Sequence, residues 1–173
     1  VGGAGPGGYG DIISPPTGRA IAERDVLILD TGCTYDGYFC DFDRNYSIGP
    51  ASDAVRRAHA SLYKATDTAL NELRPGMLAR DLHHILSTAL EREGAAPGGG
   101  RLGHGLGLTL TEWPSLTPLD ATELREGMVL TLEPGVEIAA GRMLVHEENI
   151  VLRASGPELL SRRAPAELPE IAG

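Results

Sequence analysis

The sequence predicts an α+β fold in which helices are grouped against a curved antiparallel sheet. Three observations carry that expectation. An apolar strand, a turn signal and a second strand open the patterned part of the chain; two helical periodicities follow; short strands punctuated by glycine and proline fill the remainder.

The elements follow in order. After Val1, the run GGAGPGGYG reads as a loop entered midway. VLILDTGC (26–33) is a continuous apolar run of the kind that forms a buried strand. Asp36-Gly37, between Tyr35 and Tyr38, is a strong two-residue hairpin signal, and YFCDFDRNYSI (38–48) is the returning strand. Residues 52–73 place Val55, Ala58, Leu62, Ala65 and Ala69 on one side of a helix; residues 79–93 do the same with Leu82, Ile85, Leu86, Ala89 and Leu90. Arg74-Pro75-Gly76 separates the two and Gly94 closes the second. GLGLTLTEW (105–113), MVLTLEPG (128–135), VEI (136–138) and HEENIVL (146–152) return to strands, and the polar, proline-containing tail from Pro157 is expected to wrap the surface.

At 173 residues the chain suits one well-filled core. Its net charge of −9 argues against nucleic acid or an anionic membrane surface as partner. No apolar run approaches the roughly 18 residues of a membrane span, and no signal peptide opens the chain. Cys33 and Cys40 are the only cysteines, which suits a reducing compartment, with cytoplasm the default expectation.

The hairpin carries the first chemistry. If it turns at Asp36-Gly37, positions whose numbers sum to 73 face each other, so Asp30, Asp41 and Asp43 project from one face. Three converging carboxylates repel strongly unless cations or protons sit between them. Cys33 and Cys40 fall on the opposite face and are expected in the core. Either Asp alone reads as a strand-end residue satisfying backbone amides. What lifts the pair is the company of His104, Glu133 and Glu147. His104 sits in GHG, where glycines allow close approach; Glu133 ends an apolar strand just before Pro134-Gly135, a poor place for an unpaired carboxylate. Of Glu147 and Glu148 only one can face inward. Two Asp, two Glu and one His form a hard donor set that suits Mn²⁺, Fe²⁺, Co²⁺ or Zn²⁺ and two-ion hydrolytic chemistry.

The stretches LILDTGCTYDGYFCDFDRNYSIG, GHGLGL, LEPG and HEENIV resemble the pita-bread metallopeptidases: methionine aminopeptidases, Xaa-Pro aminopeptidases and prolidases. The resemblance runs from about Asp25 to Leu152 and is specific as a joint pattern. It implies that Asp30 chelates one of two divalent ions, Mn²⁺ being favoured, that Asp41 and Glu147 bridge them, and that His104 and Glu133 hold the other. It further implies Glu133 as general base, a small peptide or small-molecule substrate, and a homodimer. Only 29 residues precede Asp30, where family catalytic domains carry more, so residues 1–173 are expected to be a single metal-dependent catalytic domain from the C-terminal part of a longer chain.

The departures from the family fall around the substrate. Thr111 stands where the peptidases carry a second His, DIISPPTGRA (11–20) has no His, Val145 replaces a frequent Arg, and Asp43 and Glu137 are added carboxylates. With Thr111, Asp43 and Glu137 as substrate-contact candidates, the two carboxylates favour a cationic ligand if both face the pocket. In the competing reading Glu137 points outward and Asp43 pairs with Arg44 or another Arg. The expected function is an Xaa-Pro-type aminopeptidase or dipeptidase. The alternative is a metal-dependent hydrolase or lyase of a small metabolite, since MLVHEENIV and RRAPAELPEI resemble ectoine-hydrolase-like relatives. A catalytically silent binding module is a third reading, against which five intact ligands count. Arg56-Arg57 and Arg162-Arg163 read as solvated surface, and Trp113 as a core aromatic in preference to a pocket wall.

Overall fold

The computed structural model describes residues 2–13, 15, 17–98 and 100–172. Strands β1 (Gly2–Pro6), β2 (Asp25–Tyr35) and β3 (Tyr38–Ile48) lead into helices α1 (Asp53–Glu72) and α2 (Ala79–Arg92). The chain then returns to strands β4 (His104–Gly105), β5 (Glu112–Ser115), β6 (Val129–Leu132), β7 (Gly135–Ala139), β8 (Arg142–Val145), β9 (Glu148–Arg153), β10 (Gly156–Leu159) and β11 (Glu170–Ile171). They form ladders in the orders β1-β2-β3-β11, β10-β9-β6-β4-β5 and β7-β8, antiparallel except for β11 against β3.

The β2–β3 hairpin has the register expected from its turn, with Asp30 opposite Asp43, Cys33 opposite Cys40 and Tyr35 opposite Tyr38. Asp36 and Gly37 take φ of 49° and 84°, the left-handed pair that a two-residue hairpin needs. Both helices form where the periodicity puts them. Ser52 caps α1 by accepting from the Val55 N–H, and the Asp81 carboxylate caps α2 by accepting from the Leu78 N–H. Their buried faces, Val55, Leu62, Ala65 and Ala69 on α1 and Leu82, Leu86, Ala89 and Leu90 on α2, pack on each other, and α1 also packs on β7, β8 and β10. No helix among the described residues is long and apolar enough to cross a membrane.

Several expectations are corrected. The opening glycine run is a strand over Gly2–Pro6, paired with β2 from Gly2 opposite Leu29 to Pro6 opposite Asp25. A Cβ on Gly2 would meet the Ile28 carbonyl oxygen at 2.9 Å, so the composition that suggested a loop serves close strand approach. The strand expected over 105–113 breaks after Gly105: Leu106 donates to the Val129 carbonyl and the Gly107 carbonyl accepts from the Phe39 N–H, carrying 106–111 across to the hairpin. The tail contributes β10 and β11 to two ladders. Cys33 and Cys40 are not in the core; Cys33 is exposed, Cys40 half-buried, and the free thiols lie 3.5 Å apart. Both line the cavity that also holds Asp30 and Asp41, near the tip of the hairpin where Tyr35 and Tyr38 are also exposed. Trp113 is 73% exposed, with its indole N–H donating to Thr122 Oγ1 at 2.9 Å. Arg163 is more than solvated surface: it pairs with Asp67 at 2.7 Å and stacks over the Tyr63 ring.

Candidate metal centre

One cavity of about 590 Å³ is lined by Asp30, Asp41, His104, Glu133 and Glu147, together with Arg101, Thr111 and the apolar side chains of Ile12, Ile13, Phe39 and Leu110. The hairpin brings Asp30 and Asp41 to one face by strand alternation. Gly32, opposite Asp41, has no room for a side chain, because a Cβ there would sit 2.2 Å from the Cys40 carbonyl oxygen.

His104 arrives on β4. Its backbone N–H donates to Thr131 Oγ1 at 3.1 Å, and preceding Gly103, at φ 141°, passes so close to the Thr131 carbonyl that a Cβ would stand 2.2 Å from it. Nδ1 lies 2.8 Å from the Gly105 carbonyl, which fixes the proton on that nitrogen and leaves the Nε2 lone pair for a ligand. Nε2 faces Asp41 Oδ2 at 3.8 Å and Glu133 Oε2 at 3.9 Å. Burial lowers the pKa of the ring, so it is neutral, the form in which an imidazole ligates.

Glu133 leaves the end of β6 with its N–H donating to the Leu102 carbonyl at 2.9 Å. Glu147 lies between β8 and β9, in a segment tied to β3 at several points. Asn149, on β9, accepts from the Asp41 N–H at 2.9 Å and donates to the Asp41 carbonyl. Arg44 donates to the Glu147 carbonyl at 3.1 Å and pairs with Glu148. Asn45 donates to the Val145 carbonyl at 2.6 Å, and Tyr9 Oη accepts from the Val145 N–H at 2.6 Å. The donors from the first ladder and those from the second are thereby locked face to face.

The electrostatics show strong crowding. Burial first, then the Asp30 charge, pushes Asp41 up to about 6. Burial lifts Glu133 to about 7, with Asp41 and Asp30 adding and the Arg101 charge opposing. Glu147 is driven to about 11 by burial and then by Glu133, Asp41, Asp43 and Asp30. Its Oε1 is buried and has no hydrogen-bond partner among the described residues. Donor atoms of Asp41, His104 and Glu147 lie within 4.8 Å of one another. An orphaned buried carboxylate oxygen, a lone pair aimed at carboxylates and four crowded acids fit divalent cations, which replace the protons that otherwise keep such a cluster neutral.

The three substrate-contact candidates separate. Thr111 lines the cavity. Glu137 does not: it is exposed on β7, its carboxylate accepting from the Gly141 N–H at 3.1 Å. Asp43 is buried behind the cavity, where its carboxylate accepts from Asn45 and from the backbone of Glu147. The Arg44 guanidinium goes to the Asp43 carbonyl and to Glu148, so the Asp43 carboxylate has no arginine hydrogen-bonded to it among the described residues. Neither added carboxylate lines this cavity, because one strand face turns outward at Glu137 and the Asn45 and Glu147 contacts hold Asp43 inside. Within DIISPPTGRA, Ser14 and Pro16 lie outside the described residues. Two participants were not singled out from the sequence. Arg101 carried a signal, a cation three residues before His104 in GGGRLGHG; Asn149 carried none, since its partner is 108 residues away.

Residues 7–154 match metallopeptidase family M24, and the chain belongs to that family. The chain is 30% identical over 145 residues to the Xaa-Pro dipeptidase of Pyrococcus furiosus, covering 83% of this chain and 42% of that protein. The structure of a prolidase from Thermococcus sibiricus superposes at a TM-score of 0.89 and 29% identity, covering 99% of this chain and 46% of that one. A methionine aminopeptidase from Thermotoga maritima superposes at 0.82 and 22% identity, over 94% of this chain and 73% of that one, and shows the shared fold. The α+β architecture is thus the pita-bread fold implied by the sequence motifs. The chain spans less than half the length of the Pyrococcus and Thermococcus relatives.

Proposed function

We propose that residues 1–173 are a single catalytic domain of a dinuclear-metal-dependent hydrolase, an Xaa-Pro-type aminopeptidase or dipeptidase that removes an N-terminal residue. The observation that carries the reading is the convergence of Asp30, Asp41, His104, Glu133 and Glu147 on one cavity. The names of the Pyrococcus and Thermococcus relatives, an Xaa-Pro dipeptidase and a prolidase, supply the substrate class. Asp30, Asp41 and Glu147 would hold one ion, and Asp41, Glu147, His104 and Glu133 the other, with manganese favoured and cobalt, zinc or iron accepted by the same donors. Such ions supply Lewis acidity, which polarises a carbonyl and acidifies water. Glu133, on the wall of the cavity, takes the proton from the attacking water and returns it to the leaving nitrogen. Asp30 and Asp41 are held rigidly by the hairpin, and Ile12, Ile13, Phe39 and Leu110 form an apolar rim for the residues flanking the scissile bond. Two free thiols suit the cytoplasm as the compartment of action.

The metabolite reading drew on Asp43 and Glu137 facing the pocket; with one buried behind it and the other outside, a cationic ligand loses its recognition. The test is hydrolysis of Xaa-Pro peptides by the Mn²⁺-reconstituted protein, with Glu133→Gln as control. Release of the free N-terminal amino acid, lost in the variant, supports the reading. Absence of turnover with two ions bound, or turnover unchanged in Glu133→Gln, overturns it.

A further inference from the structure

Cys33 and Cys40, the only cysteines of the chain, stand opposite each other in the β2–β3 ladder, on the wall of the cavity that holds the carboxylates. The hydrolytic chemistry gives them no part. Their free thiols lie 3.5 Å apart, with Cys33 exposed and Cys40 half-buried. Directly opposed residues of an antiparallel pair stand about 4.5–5.5 Å apart at Cα, inside the roughly 4.4–6.8 Å that a disulfide spans. The sulfurs can therefore bond by side-chain rotation, with the register of the ladder unchanged.

The two positions are not equivalent. The backbone on both sides of Cys40 is pinned from outside the hairpin. The Phe39 N–H donates to the Gly107 carbonyl at 2.8 Å, and Asn149 holds the Asp41 N–H at 2.9 Å and the Asp41 carbonyl as well. The Cys33 N–H donates to Cys40 Sγ at 3.3 Å, which keeps that sulfur beside its partner. Cys33, the exposed one, is the sulfur that a solute reaches first. We propose that Cys33 and Cys40 are a reversible modification site, at which a low-molecular-weight disulfide such as glutathione disulfide drives formation of a cross-strand disulfide beside the metal centre. The Cys33 thiolate attacks one sulfur of the small disulfide, forming a mixed disulfide and releasing one thiolate. The Cys40 thiolate then attacks Cys33 Sγ, forming the cross-strand bond and releasing the second. The protein gives up two electrons and two protons, and the small disulfide leaves as two thiols. The ladder holds Cys40 at high effective concentration beside Cys33, so the mixed disulfide does not accumulate. Because Asn149 pins Asp41, the adjustment falls on Cys33, and the carboxylates keep their places. Such a bridge suits a reducing compartment, where disulfides are transient.

The test incubates the Mn²⁺-loaded protein with glutathione disulfide, alkylates the remaining thiols and reads peptide masses. Residues 25–44 form one tryptic peptide that contains both cysteines. That peptide is expected to lose two hydrogens and to regain them in excess glutathione. Cys40→Ser is expected to stop with one glutathione on Cys33. Cys33→Ser is expected to react at least about tenfold more slowly, because its remaining sulfur is half-buried. Oxidised and reduced protein are expected to bind Mn²⁺ equally in calorimetry. Thiols that stay free, glutathione retained on the unsubstituted protein, or peptides linked between two chains overturn the inference. So does a Cys33→Ser protein that reacts at the original rate, or a loss of Mn²⁺ affinity of about tenfold or more on oxidation. None of these readouts depends on peptide cleavage, so the site stands or falls separately from the peptidase reading.

Discussion

At the scale of single residues, Glu133 and Asn149 illustrate two ways of serving one cavity. Glu133, pushed up to about 7 in the metal-free cavity by burial with Asp41 and Asp30 adding, is the carboxylate proposed to move the proton of the attacking water. Glu133→Gln keeps the shape and one donor oxygen while removing the titration. The expected result is a fall in kcat of roughly 10²- to 10⁴-fold with the fold retained, read from steady-state kinetics and circular dichroism. Asn149 touches no substrate. Its amide holds both backbone groups of Asp41, fixing β3 against the segment that presents Glu147. Asn149→Ala leaves a buried Asp41 N–H and carbonyl unpaired and is expected to cost about 1–3 kcal/mol in denaturant unfolding. It should also weaken Mn²⁺ binding, because Asp41 loses its placement. The difference in how far these residues could be read from sequence has a physical origin. Glu133 stands where an apolar strand meets Pro134-Gly135, and His104 between two glycines, both local signals. Asn149 acts through Asp41, a partner 108 residues away, and only the folded chain brings the two together.

At the scale of elements, the β2–β3 hairpin was the most legible part of the chain. Strand alternation has a period of two, so a single turn position decides which side chains share a face. Asp36-Gly37 supplies that position, and Asp30 with Asp41 follow from it. Alternation does not say what a face meets in the fold, and Cys33 and Cys40 lie outside the core, on the wall of the cavity that holds the carboxylates. The helices were legible for a similar reason, a 3.6-residue apolar period with caps at each start. β1 and the 106–111 crossing were not, because glycine-rich backbone pairs through hydrogen bonds that leave no side-chain pattern. Gly37 tests the hairpin directly. At φ 84° a side chain is strained, and Gly37→Ala is expected to cost about 1 kcal/mol or somewhat more in chemical denaturation. Mn²⁺ affinity should stay within about twofold, since the ten-pair ladder behind the turn holds the register. A large loss of affinity at small cost in stability would mean that the turn alone sets the register.

At the scale of the whole molecule, the metal centre is a joint between two ladders. Asp30 and Asp41 belong to the first, and His104 and the ends that carry Glu133 and Glu147 to the second. Without ions, folding takes up protons. Asp41, Glu133 and Glu147 have folded pKa values of about 6, 7 and 11, all above the ordinary carboxylate range. Between the unfolded values and these, the native state binds more protons than the unfolded one, so stability falls as pH rises. The contribution is fully present below about pH 4, and its loss passes through the Asp41 and Glu133 values before neutrality and continues toward that of Glu147. Divalent cations reverse the dependence, because they bind the deprotonated carboxylates and only in the folded arrangement. An ion at about 100 times its dissociation constant adds about 2.7 kcal/mol, which for a chain of this length raises the midpoint by roughly 5–10 °C. Scanning calorimetry at pH 5 and pH 8, with chelator and with Mn²⁺, separates the two effects. The chelated protein is expected to melt at a lower temperature at pH 8 than at pH 5, and the Mn²⁺-induced rise to be larger at pH 8. A chelated protein that is more stable at pH 8, or a metal-induced rise that is larger at pH 5, would show that the carboxylates are not crowded in the native state and that the joint is held by other contacts.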